Sequence, residues 1–396
     1  MSGAAGIGRR AGARRRRGAA STRGIVLGAA AVLAAAGCAT PPERLAPEPE
    51  GPVVGPGARL VVWEVENDEA LDLWYHALAL MGAPEPGGEE SFPLPSFRAG
   101  YAGMIEEAKR ARDVYPTPLD TAAARLRAEI EEAGGADAIQ NLSFIPLYLP
   151  PPWTVTAAVT TWARAGGDPA QAGSSAAAAV VNRLNTLIPE EDVRAAVMQL
   201  PPLLESEAQL FYRGYRVERL QEIRGTVIAV RDTWRALHEQ LRTFLDYVQL
   251  EGGDLLLSPA LGVEGRSLTS NVSRPVVAAQ LPDPGRHEDA VWAFLHELMY
   301  ALVPDVIEAE VAPAEIEDIG LQTLTTRAAV RAGDMLLELR APVRLEAYRG
   351  YFVRAADPSI GAAEARTAAA LARTFPLPDR LVEGLREAIE LANSGI

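Results

Sequence analysis

Apolar positions along this chain fall mainly at helical spacing. Leu71, Trp74, Tyr75 and Leu78 recur three and four apart behind an Asn67-Asp68-Glu69 start, which predicts a helix to about residue 81. The same pattern predicts helices over 101–114, 119–132, 155–165, 174–187 and 190–198. A long helical stretch follows over 203–250, broken near Arg224-Gly225. Residues 87–95 read as a loop, and 144–153 as an extended piece ended by prolines. Strand patterns are fewer. Residues 60–65 form one; 254–261 and 275–281 form two more around a turn at 262–265, and these two read as a hairpin or meander. Helices over 289–302, 314–330, 331–339, 343–351, 362–374 and 379–393 complete the chain. The fold class is therefore mainly α with a small antiparallel β-sheet (α+β).

One helix departs from the amphipathic rule. Residues 291–303 are apolar on every face except for His296-Glu297. A helix apolar all round is a buried helix. Burying a histidine and a carboxylate costs several kcal/mol unless a partner satisfies them. Neighbours on a helix point about 100° apart, so the partner has to come from another element, a water or a metal.

The chain opens with seven arginines and no acidic residue in its first 24 positions, then an apolar run over 25–36. That run is shorter than the roughly 20 residues of a spanning helix. It has the layout of a secretory signal. Ala35-Ala36-Gly37-Cys38 follows, and Cys38 is the only cysteine. The segment resembles a bacterial lipobox, with Ala35 in place of the usual leucine. The resemblance implies cleavage before Cys38, lipidation of its thiol and a membrane anchor in the bacterial cell envelope, on the inner or outer membrane. Residues 38–57 read as the lipidated cysteine and a Pro-rich tether. Loss of the seven arginines leaves 31 basic against 52 acidic residues, a formal charge of −21. That charge argues against nucleic acid as a partner. A single cysteine excludes an intramolecular disulfide.

A small sheet followed by a buried His-Glu helix resembles the zincin metallopeptidases. In that family H-E-x-x-H supplies two zinc ligands and a general base. Carried over by position, the resemblance implies His296 as first ligand, Glu297 as catalytic base, and Glu315 or Glu317 as third ligand. The second histidine is replaced by Tyr300, which stands in its place as a candidate metal ligand. Zn2+ is the cofactor implied, and the motif is degenerate. The expectation is an envelope lipoprotein with a non-catalytic, metallopeptidase-like domain. The alternatives are an active zinc peptidase using His296 and Glu297, and a purely structural or partner-binding lipoprotein. Residues 58–250 form the mainly helical region, and 251–396 the metallopeptidase-like one. An unidentified protein or peptide partner belongs to all three readings. Of the other histidines, His76 reads as a core-edge residue, His238 as part of a solvated face, and His287 as part of a loop.

Overall fold

A computed structural model describes residues 63–82, 94–150, 152–269 and 274–394. The signal segment, Cys38 and the tether lie outside the described residues. The described part is mostly helical and carries one four-stranded sheet. Its strands are β1 (Glu64–Glu66), β2 (Asp254–Ser258), β3 (Arg266–Leu268) and β4 (Val276–Gln280), in the order β1-β2-β4-β3.

The sheet is mixed, which corrects the antiparallel expectation. β1 runs parallel to β2, and β2 parallel to β4. Only β3, at the edge, is antiparallel, pairing Arg266 with Ala278 and Leu268 with Val276. The two apolar runs therefore do not form a hairpin. Both are covered on two faces, as parallel strands are, which explains their continuous apolar character. The residues joining them include β3, a three-residue strand too short and polar to stand out.

Alternation along the strands divides the interior in two. Val65, Leu255, Leu257, Val277 and Ala279 belong to one apolar cluster, with residues 223–250 and the C-terminal helices. Ala278 belongs to the other, with Leu256, Val276 and Leu268 packed against it and the N-terminal helices around them. The sheet is thus the partition between two helical layers. The regions 58–250 and 251–396 meet in it, because β1 comes from the first and β2 to β4 from the second.

Local chemistry accounts for the helix starts. Asp68 Oδ1 accepts from Leu71 N at 2.7 Å ahead of the helix Glu69–Gly82. Thr117 and Asp120 form a capping box for Pro118–Gly134. Thr154 and Ser174 cap Val155–Arg164 and Ser175–Leu187. The helix Arg213–Tyr247 runs through Arg224-Gly225 without a break; the irregularity is a π-turn at Ala208–Tyr212. A 3-10 turn, Ile145–Tyr148, occupies the segment expected to be extended. In the C-terminal region the break falls at Gly320, between Pro313–Ile319 and Leu321–Arg340. Gly320 has φ +88°, a conformation in which glycine is least strained.

No single helix among the described residues is long and apolar enough to cross a membrane. The pair Glu288–Met299 and Val303–Glu310 has that length and composition only jointly, across a 47° bend. Ala290 to Met299 is buried throughout in the protein's own core.

Candidate functional site

The helix Glu288–Met299 lies between β4 and the helix Leu321–Arg340, which is why it is apolar on every side. His296 is fully buried and Glu297 is 2% exposed. Both find partners outside the helix, as the burial argument requires; for Glu297 one is the Ser267 side chain, which hydrogen-bonds to its carboxylate. The chief one is Glu264, 5% exposed, in the turn between β2 and β3. Glu264 Oε2 is 3.4 Å from His296 Nε2, and Glu297 Oε1 is 3.8 Å from the same nitrogen. One donor atom from each of the three residues lies within 4.8 Å of the others.

The surroundings orient Glu264. Its Oε1 accepts from Tyr300 Oη at 2.8 Å and from Thr326 Oγ1 at 3.3 Å. Its Oε2 is left without a hydrogen bond, as are Glu297 Oε1 and His296 Nδ1. Arg266, fully buried, donates to Ser143 Oγ and to the carbonyls of Glu264 and Gly265. These bonds fix the backbone that carries Glu264. His296 packs edge-on against Tyr300, with ring centroids 5.2 Å apart, and against Phe352 at 5.5 Å.

Gly265 makes the approach of β3 to the helix possible. A Cβ there would lie 2.7 Å from Glu297 Cγ and 2.9 Å from the Ala278 carbonyl oxygen. Only a residue without a side chain fits between them.

Charge in the cluster is tightly interdependent. Burial raises the Glu264 carboxyl, but His296, the Tyr300 hydrogen bond and Arg266 outweigh it and hold it below its ordinary value. Burial opposes a charge on His296, yet Glu264 and Glu297 raise its pKa. Burial, with the neighbouring Glu264 charge, pushes Glu297 up to about 7. Tyr300 is raised well above its ordinary value by burial and by the charges of Glu264 and Glu297, so it is a neutral phenol. A neutral phenol is a poor zinc ligand.

The sequence-derived residues therefore separate. His296, Glu297 and Tyr300 come together. Glu315 and Glu317 sit on the helix Pro313–Ile319, half-buried and exposed respectively, and neither belongs to the cluster. The ligand set that H-E-x-x-H implies does not assemble here, because position 300 supplies a hydroxyl bonded to Glu264. Sequence reasoning missed Glu264; its signal was a carboxylate between Gly262 and Gly265 at the end of a strand.

A second buried polar network lies in the other layer. His76 is fully buried, not at the core edge. Its Nδ1 is 3.0 Å from Tyr101 Oη and its Nε2 2.9 Å from Glu207 Oε1. Lys109, the only lysine, reaches Glu207 Oε1 and Asp120 Oδ1, both at 2.7 Å. Thr117 Oγ1 donates to Glu207 Oε2 at 2.6 Å. Every member has a partner, as a structural network requires. His238 is half-buried against Trp234, and His287 precedes the His-Glu helix. A surface groove lined by Thr160, Arg164, Pro201 and Glu205 includes no residue of either network.

Asp72 is buried, and burial, only partly offset by Asn67, Ser258 and Arg216, raises its carboxyl to about 7. An unfolded aspartate ionises near pH 4. Between those values the folded state holds a proton that the unfolded state has released. Stability therefore falls as pH rises through that window, by about 4 kcal/mol from this residue. Denaturant titrations should show Asp72→Asn less stable than or equal to the wild type at pH 4 and more stable at pH 8. An unchanged pH slope in the variant would remove Asp72 as its source.

Comparison of this chain with protein-family models, curated proteins and solved structures returned no match in any of the three searches. The functional reading therefore rests on the residues and their geometry.

Proposed function

We propose that this chain is a lipid-anchored protein of the bacterial envelope whose folded part is a non-catalytic relative of the zincin design. The observation that carries the proposal is the state of the His296-Glu297 pair. A general base must reach a water that attacks substrate. Glu297 is instead buried in the core, with its carboxylate beside His296 and Glu264. The second imidazole of a zinc peptidase is replaced by a neutral phenol engaged with Glu264. The anchor belongs to the same proposal: Cys38 directly follows an apolar run and small residues. Stable attachment takes two or more acyl chains. The acidic surface suits an envelope protein that acts by binding a protein or peptide partner, with no role in nucleic-acid contact.

Two measurements test this. Cys38→Ser should move the full chain from the membrane fraction to the soluble one; unchanged partitioning would refute the anchor. The zinc-supplemented wild type should cleave casein and mixed peptides no faster than Glu297→Gln. Cleavage that is lost only in Glu297→Gln would establish the active-peptidase reading instead.

A further inference from the structure

We infer that Glu264, His296 and Glu297 together coordinate a divalent cation of the zinc class. The inference rests on the non-catalytic reading, since it makes Glu297 a ligand and not a base. The spacing of the donor atoms carries it. If a proton held this cluster together, the single proton on His296 Nε2 would draw one carboxylate oxygen to about 2.7–2.9 Å. The distances from His296 Nε2 are 3.4 Å to Glu264 Oε2 and 3.8 Å to Glu297 Oε1. A zinc ion about 2.0–2.2 Å from each ligand in a tetrahedral site sets the ligands roughly 3.3–3.6 Å apart. The first distance falls in that range, the second needs only a modest opening of the angle, and the two carboxylates lie within 4.8 Å of each other, a span that closes onto a shared ion.

Three further observations agree. Glu264 Oε2 and Glu297 Oε1 are buried and accept no hydrogen bond, and both face the same nitrogen, His296 Nε2, at 3.4 and 3.8 Å. Buried carboxylate oxygens are rarely left so. The other oxygen of Glu264 is held by Tyr300 and Thr326, which is how outer groups orient a ligating carboxylate. The donor set, one imidazole and two carboxylates, selects against calcium and magnesium, which prefer oxygen alone. It balances the charge of a divalent ion with a neutral histidine. Tyr300 Oη also lies 3.4 Å from His296 Nε2, but it is a neutral phenol that donates to Glu264, so it supports that carboxylate and is a poor ligand itself. The ligand set therefore differs from the one H-E-x-x-H implies, with its carboxylate drawn from the β2–β3 turn. Buried on all sides, the ion would brace that turn against the helix Glu288–Met299.

The test uses the detergent-solubilised full chain, stripped with chelator under mild denaturant, refolded and reloaded with zinc or cobalt(II). The wild type should hold one zinc per chain after gel filtration. Its cobalt form should show the visible band of a tetrahedral site. Loading at a hundredfold excess over Kd should raise Tm by about 4 °C. Glu264→Gln and Glu297→Gln, both isosteric, should each weaken zinc binding by about 100-fold or more and abolish the shift in Tm. Glu317→Gln should bind as the wild type does. Circular dichroism of each variant separates loss of metal from loss of fold. Folded wild type that takes up no zinc overturns the inference. So does metal retained in Glu264→Gln and lost in Glu317→Gln. Peptide cleavage by the loaded protein is read separately: it bears on the non-catalytic reading, whereas metal content and the ligand variants bear on the site.

Discussion

Alanine at position 265 is expected to destabilise the protein by about 2–3 kcal/mol and to displace Glu297. The added carbon would meet Glu297 Cγ at 2.7 Å and the Ala278 carbonyl oxygen at 2.9 Å. The first belongs to a buried side chain. The second is backbone of β4 opposite Arg266, in the ladder that holds β3. Neither has room to give, so the strand or the carboxylate must move, and overpacking of this kind costs about 1–3 kcal/mol. Gly225 supplies the contrast. It lies inside the helix Arg213–Tyr247, and a Cβ there would meet nothing within 4 Å. Gly225→Ala should stabilise by up to about 1 kcal/mol, the cost of glycine in a helix interior. Denaturant midpoints of the two variants should move in opposite directions. A Gly265→Ala protein as stable as the wild type would show that β3 is not pressed against Glu297.

Lys109→Met should cost about 3–5 kcal/mol, the range for removing one partner of a buried ion pair. The lysine is fully buried and serves Glu207 and Asp120 together. Without it, Glu207 keeps only His76 and Thr117 beside its charge. Adding Glu207→Gln to Lys109→Met should recover part of the loss, and a double-mutant cycle measures the coupling. Acid sensitivity should change as well. In the wild type burial raises the Glu207 carboxyl, but His76 and Lys109 outweigh it and bring it down to about 2. A depressed carboxyl stabilises the fold above its unfolded value near 4.3 and loses that contribution as pH falls toward the folded one. In Lys109→Met the loss should begin at higher pH. If the lysine variant melted like the wild type at neutral pH, the network would have no energetic role.

The sequence is informative where its signal is periodic and local. A helix apolar on every face had to be buried, and the demand of His296 and Glu297 for outside partners followed from desolvation alone. The Asn67-Asp68-Glu69 helix start was equally visible, and Asp68 caps that helix. Pairing between distant segments was not. Two apolar runs joined by turn residues look the same whether they pair antiparallel or run parallel with an edge strand between them, and β3 is too short to announce itself. Glu264 was hidden for a related reason: in the sequence it is one acidic residue in a turn, and only the β3–β4 ladder brings it to His296. Lys109 was conspicuous as the only lysine, yet nothing local marks it as buried, because its partners Asp120 and Glu207 lie on other helices.

The partner of β1 bears on the order in which this protein can assemble. Glu64 pairs with Asp254, and Asn67 donates to the Leu257 carbonyl from 190 positions away. A chain still emerging has nothing to place beside its first strand until nearly two thirds of it has been made. Up to that point the N-terminal helices lack the sheet residues, Ala278 and its neighbours, that complete their cluster. Closing so distant a contact carries a large loop-closure cost before any pairing repays it, which makes it a slow step. The newly made chain thus cannot complete its sheet until its C-terminal third arrives, although its N-terminal helices can already pack on one another.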